Sequence, residues 1–246
     1  MASFDLRIGT AGWSIPAAVA HRFPGQGSHL ERYARVMNAA EINTSFHRPH
    51  KRTTYERWAA STPHGFRFSV KVPRLLTHDQ RLADPEEVLD RFAGEAAGLG
   101  AKLSVILVQL PPSLKFNAAV AAAFFDALQA RMAAPIACEP RHADWFTPET
   151  DVWLAERRIA RVAADPAKPA GAGQPGGWRG LTYFRLHGSP RMYYSAYAPE
   201  VLADTARTLR EEAAAAPTWC IFDNTAGSAA LPDALTVRAR TGDERP

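Results

Sequence analysis

Only two of the 246 residues are cysteine. Cys138 and Cys220 each sit inside an apolar run, which reads them as core thiols and points away from a disulfide framework or a cysteine-ligated metal. Long hydrophobic runs are missing too. The longest strongly apolar stretch, Leu103–Leu110, is far too short to span a membrane. The opening residues, MASFDLRIGT, lack the basic-then-apolar pattern of a secretory signal, so a cytoplasmic protein with no membrane partner is expected. No glycine-rich phosphate loop joins a strand to a helix. Gly9-Thr-Ala-Gly12 is too short for one, and Gly171-x-Gly173 follows no tight strand-to-helix turn. Metal-binding spacings of the H-x-x-x-H or H-E-x-x-H kind are also absent, and no cofactor is predicted; a divalent ion would have to draw on His78, Glu139, Asp165, His187 and Asp223. Nor is there a large excess of one charge. The net charge of +4 permits an anionic ligand or nucleic acid and demands neither.

What is present is apolar material in a regular rhythm. Hydrophobic residues make up 46% and charged residues 22%, as in ordinary soluble domains. Eight short β-like runs recur: Leu6–Ala11, Glu41–Ser45, Phe66–Val72, Leu103–Leu110, Ile136–Glu139, Ile159–Ala164, Thr182–Leu186 and Trp219–Phe222. Helical stretches follow most of them, at Leu30–Ala40, Thr53–Ser61, Pro85–Leu99, Ala118–Met132, Pro148–Arg157, Pro199–Ala215 and Ser228–Leu235. Asp84, Asn117 and Thr147 are the expected helix caps. Eight strand–helix units in about 250 residues is the arithmetic of a single α/β domain folded as a (β/α)8 TIM-type barrel over residues 1–237. A doubly wound open sheet is the alternative. After the sixth strand, DPAKPAGAGQPGGWRG forbids a helix and predicts a Pro/Gly-rich loop in its place, either a surface connection or a flap anchored by Trp178. Residues 238–246 read as a frayed tail.

Barrel sites form where strands end at their C-terminal side, so the residues delivered last matter most. FRFSVKVPRLLTH is the most telling segment. Phe66, Phe68 and Val70 share one face of a strand; Arg67, Ser69 and Lys71 share the other, which is costly to bury unless it lines a polar cavity. Lys71, Arg74 and His78 then arrive at the strand end. The other strands deliver Trp13, Glu41 and Asn43, Gln109, Glu139 with Arg141 and Trp145, Arg185 with His187, and Asn224. Lys71, Glu139 and His187 are the candidate catalytic groups: an anion-holding cation, an oriented carboxylate, and an imidazole able to shuttle a proton near neutral pH. Trp13, Glu41, Asn43, Arg74, His78, Gln109, Arg141, Trp145, Arg185, Tyr193, Tyr194 and Asn224 are the candidate substrate contacts. A buried cluster of Lys71, Arg185, Glu41 and Glu139 requires mutual pairing.

The segments IGTAGWSIP (Ile8–Pro16), EINTSFHR (Glu41–Arg48), GFRFSVKVPRLLTH (Gly65–His78), VQLPPSLKF (Val108–Phe116), EPRHADWF (Glu139–Phe146), FRLHGS (Phe184–Ser189) and FDNTAG (Phe222–Gly227) follow one another along nearly the whole chain. In these the sequence resembles the YecE-like family, also called domain of unknown function 72. The resemblance implies a TIM barrel and carries no settled activity. From the residues themselves, the leading expectation is a mixed-charge, cation-biased pocket for a small phosphate- or carboxylate-bearing molecule, with hydrolase and lyase or isomerase chemistry both open. A nucleic-acid-binding or nuclease-like barrel, gripping a backbone with His47–Arg52 and stacking bases on rim aromatics, is the alternative. A non-catalytic ligand-binding barrel is the third.

Overall fold

The alternation in Phe66–Lys71 sets the architecture. A strand with one apolar and one polar side has to face a helix layer on the first and a lined interior on the second. In the computed structural model, which describes residues 5–242, this strand is β3 (Arg67–Lys71). Phe68 and Val70 are fully buried in the core that packs against the helices, each contributing roughly 2 kcal/mol by burial. On the other face, the Ser69 hydroxyl meets the hydroxyl of Tyr183 from across the barrel at 2.7 Å.

The strands β1 (Leu6–Ala11), β2 (Ala39–Ile42), β3, β4 (Leu103–Gln109), β5 (Ile136–Glu139) and β6 (Ile159–Arg161) lie side by side in chain order. Every pairing among them is parallel. On the other side of β1 come β10 (Thr218–Phe222), β9 (Thr182–Leu186) and β7 (Ala163–Asp165), again parallel. The expected sixth strand is therefore two short pieces of one run. Its first half pairs with β5 and its second half with β9, and Val162 is the joint between them. The sheet thus rolls into a nearly closed barrel. A small inner core of Ala39, Val105, Leu107, Ala137, Val162, Tyr183, Trp219 and Ile221 fills the interior, and a larger one lies between strands and helices.

No helix follows this split run. The Pro/Gly-rich segment instead descends beside it and adds β8 (Gly176–Gly177), antiparallel to β6. Arg161 pins the segment by donating to the carbonyls of Gly171 and Gln174 at 3.1 and 3.2 Å, while Asp151 accepts from both Arg161 and the Gly177 amide. Trp178 packs against the inner core. At Gly177 (φ +60) a Cβ would stand 2.5 Å from the Ile159 carbonyl oxygen, so glycine is required there. The segment is a fastened replacement for a helix.

The helices are α1 (His29–Ala34), α2 (Arg52–Ala60), α3 (Glu86–Ala96), α4 (Ala118–Arg131), α5 (Pro148–Glu156), α6 (Pro199–Ala213) and α7 (Ala230–Thr241). Asn117 caps α4 by accepting from the amides of Ala119 and Val120, and Thr147 caps α5 by accepting from Thr150. Asp84 does not cap α3: it adopts φ +45, and Pro85 takes the cap position with no side-chain hydrogen bond. The second strand starts earlier and stops sooner than expected, because Asn43 turns to helical angles and Thr44–Phe46 form a 3-10 turn. The last helix continues to Thr241, so Arg238 and Arg240 belong to it rather than to a frayed tail; residues 243–246 of that expected tail lie outside the described residues. Among the described residues no helix is long and apolar enough to cross a membrane.

Candidate functional site

Strand order and parity deliver six ionisable side chains to the C-terminal mouth of the barrel. Glu41 comes from β2, Lys71 from β3, Glu139 from β5, and Arg185 from β9; His187 and Asp223 follow directly after β9 and β10. All are buried. Arg185 is the centre. Its Nε and Nη2 donate to the two oxygens of Glu41 at 3.0 and 2.6 Å, Nη1 donates to Glu139 at 2.6 Å, and Nη2 also reaches Asp223 at 3.0 Å. Tyr183 donates to Glu41 at 3.0 Å. Burial alone would discharge these groups, but mutual pairing outweighs it. Burial pushes the pKa of Glu139 up, yet Arg185, Arg141 and His187 hold it well below the usual carboxylate range. Asp223 is likewise held low, by Arg185 and His187 against its burial.

His187 lies between carboxylates. Its Nδ1 is 3.0 Å from Asp223, and its Nε2 is 2.9 Å from Glu139 and 2.8 Å from Nη2 of Arg141. Arg141 also donates to Glu139. A proton on Nδ1 suits the Asp223 contact, whereas Nε2 faces both a donor, Arg141, and an acceptor, Glu139. The edge of the imidazole faces the ring of Tyr193 at 5.6 Å.

Lys71 differs from every other cation in the cluster. It is 5% exposed, yet among the described residues no carboxylate lies within ion-pair distance of its ammonium and no hydrogen-bond acceptor is in reach. Nζ sits instead 4.0 Å over the ring of Phe46. Burial, then the neighbouring Arg185, lowers its pKa to about 8, only partly opposed by Glu41, Asp223 and Glu139.

Beside this mouth, over the ends of β10, β1 and β2, opens a cleft of about 620 Å³. Trp13 and Trp58 form part of its wall, edge to face at 5.1 Å. His29, His47, Arg48 and His50 also line it, and no Asp or Glu does. The Oδ1 atom of Asn43, another lining residue, is buried without a partner. Phe46 joins the two regions. Its ring meets His47 and His78 edge-on, each at 5.0 Å, and carries Lys71 above it.

A family model described as "Protein of unknown function DUF72" matches residues 7–246. The chain belongs to the DUF72 family. The UPF0759 protein YecE of Escherichia coli K12 is 27% identical over 174 residues, and the UPF0759 protein YunF of Bacillus subtilis 168 is 26% identical over 158 residues. These alignments take in 68% and 57% of this chain, which spans 61% and 52% of the length of those relatives. Among solved structures, a DUF72 family protein from Enterococcus faecalis V583 superposes with a TM-score of 0.82 at 20% identity, covering 96% of this chain and 95% of its own. One from Thermotoga maritima MSB8 gives 0.78 at 23% identity, covering 96% and 98%. The likeness establishes the barrel.

The other expected site residues of this DUF72 chain fall into four groups. Trp13 and Asn43 line the cleft. Gln109 is half-buried at the end of β4, in register with Glu139, and Tyr193 stands at His187. Arg74 and His78 are at the rim, where Arg74 pairs with Asp79 at 3.3 Å and His78 bonds the Thr77 hydroxyl at 2.8 Å. The remainder serve the scaffold. Trp145, expected at the mouth, is a core residue: a 3-10 turn at Ala143–Phe146 turns it inward, 1% exposed, with Nε1 donating to the Leu114 carbonyl. Asn224 is buried and ties the loop carbonyl of Ser195 to Asp233. Tyr194 is exposed and stacks under Arg191. Asp165, a conceivable metal ligand, accepts from the Tyr197 hydroxyl. Among the described residues no group of three or more His, Cys, Asp or Glu is placed to hold a metal ion. Sequence reasoning missed Tyr183 and Ser69, although each lies two residues before a chosen residue on the same strand face. It also missed His29 and Trp58, which reach the cleft from distant helices with no local signal.

Proposed function

We propose that the C-terminal face of this barrel binds a small anionic molecule, phosphate- or carboxylate-bearing, in the cleft over β10, β1 and β2. The observation that carries this reading is the lining: three histidines and an arginine with no carboxylate among them, beside aromatic walls. Such a cavity favours an anion by charge and an organic body by its apolar surface. Arg185 is not free to clamp a ligand, because its charge is answered by three carboxylates. Its part is to hold Glu41, Glu139 and Asp223 in place. Glu139, with its pKa held low, orients Arg141 and His187 and is a weak proton donor at neutral pH. Both ring nitrogens of His187 are likewise engaged, so Lys71 is the group left for chemistry.

A small ligand is favoured over a polynucleotide by the surroundings of the cleft. A nucleic-acid backbone requires a track of free cations, and beyond the lining Arg52 pairs with Glu56 and Arg74 with Asp79. Thermal unfolding in inorganic phosphate tests the proposal. Phosphate should raise the melting temperature. The rise should shrink in Arg48→Ala and vanish in His47→Ala/Arg48→Ala. An equal rise in wild type and double variant would overturn this assignment.

A further inference from the structure

Two of the buried or half-buried amines in this protein are built differently, and the contrast defines a function for one of them. Lys102 is a structural lysine. Its Nζ donates to the carbonyls of Ala59 and Thr62 and to the Thr62 hydroxyl at 2.6, 2.6 and 2.9 Å. Lys71 is more deeply buried and has none of this. Its ammonium has an aromatic face beneath it and lies within electrostatic reach of one cation, Arg185, and three carboxylates, Glu41, Glu139 and Asp223. Those carboxylates are already held by Arg185, Arg141 and His187. His78, from the turn after β3, adds a further titratable neighbour. A desolvated lysine beside another cation, at a strand end in a barrel mouth, is the arrangement that keeps an amine partly neutral and nucleophilic.

We propose that Lys71 is an amine nucleophile that forms an imine with the carbonyl carbon of a small anionic aldehyde or ketone. The class of carbonyl compound rests on the anion-binding reading above; the amine's role does not. The ammonium first releases a proton. The neutral amine attacks the carbonyl carbon, the C–N bond forms, and the carbonyl π electrons move to oxygen. Proton transfer from nitrogen to oxygen gives the carbinolamine. The proton first released then joins the hydroxyl, which leaves as water while the nitrogen lone pair forms the C=N bond. The product is a protonated imine and one water, with no oxidant or reductant consumed.

Reductive trapping decides the matter. The full chain is incubated with cyanoborohydride and either glyoxylate, which is anionic, or propanal, which is neutral, and peptide mapping gives the rate of adduct formation at each of the five lysines. Lys71 should be labelled several-fold faster than Lys51, Lys102, Lys115 and Lys168 with both reagents. The glyoxylate reaction should be faster than the propanal reaction relative to a surface lysine, and inorganic phosphate should slow it. The fast adduct should be lost in Lys71→Met. The comparison among lysines is made within the wild-type protein, so it stands even if that variant folds poorly. Lys71 labelled no faster than the surface lysines with either reagent overturns the inference, whatever phosphate does to the melting temperature. Fast labelling by both reagents with no glyoxylate advantage and no phosphate effect upholds the amine and removes the anion site.

Discussion

Arg185 and Lys71 are two cations on facing strands with opposite fates. Arg185 is fully paired, so its removal leaves Glu41, Glu139 and Asp223 buried with less compensation. Arg185→Met should cost about 3–5 kcal/mol in urea unfolding, and adding Glu41→Gln should restore part of that loss. A cost below about 1 kcal/mol would mean that water reaches the cluster. Most of this meeting point is legible in the sequence, because strand parity and strand ends pick out Glu41, Lys71, Glu139, Arg185 and His187 together. Which cation is satisfied is not legible. That depends on the distances across the barrel, and these follow from register. Trp145 shows the same limit: a tryptophan just after a strand end can turn either way, and only the 3-10 turn that carries it decides.

At the level of elements, capping chemistry separates what local sequence dictates from what it leaves open. Asn117 and Thr147 act as their residue types require. Asn117→Ala should destabilise the protein by about 1 kcal/mol, read as a lower urea midpoint with an unchanged slope, since the cap is exposed and supports one helix. No change would mean that tertiary packing alone fixes the start of α4. Asp84 has the same capping chemistry but fails, because the preceding π-helical turn at Leu75–Asp79 and the positive φ values at Arg81, Leu82 and Asp84 bring the chain into α3 from a different direction. The eight strands were readable from their periodicity, and the missing helix from its prolines and glycines. The division of the sixth strand was not, because a single run of Ile159–Asp165 carries no mark of having two different neighbours.

For the molecule as a whole, the buried charges make stability depend on pH at both ends. Glu139 and Asp223 have folded pKa values below their ordinary 4.5 and 3.8. Their contribution is therefore complete above those values and is lost as the pH falls through the lower, folded ones. Lys71 works in the other direction. Its folded pKa of about 8 lies below the ordinary 10.5, so between these values the unfolded chain binds more protons and stability rises with pH. Burial pushes the Cys138 and Cys220 thiols up from their ordinary 9.0, and this lowers stability over the same range in both proteins. Urea midpoints should accordingly fall less steeply from about pH 8 to pH 10 in the wild type than in Lys71→Met; equal slopes would show that Lys71 is solvated. Above about pH 10 the buried tyrosines Tyr33 and Tyr55, whose pKa values burial pushes far up, add to the fall.

The split run Ile159–Asp165 has a consequence for association between molecules. Its two halves cover the free ladders of β5 and β9 with only Val162 between them. If the run peels away, two parallel edges are bared at once, Ile136–Glu139 and Thr182–Leu186, both composed of buried residues. Such edges are templates for a strand from another chain. The seven-residue run that closes the barrel is thus also its guard against aggregation, and the Arg161 fastening that holds the loop beside it keeps that guard in place.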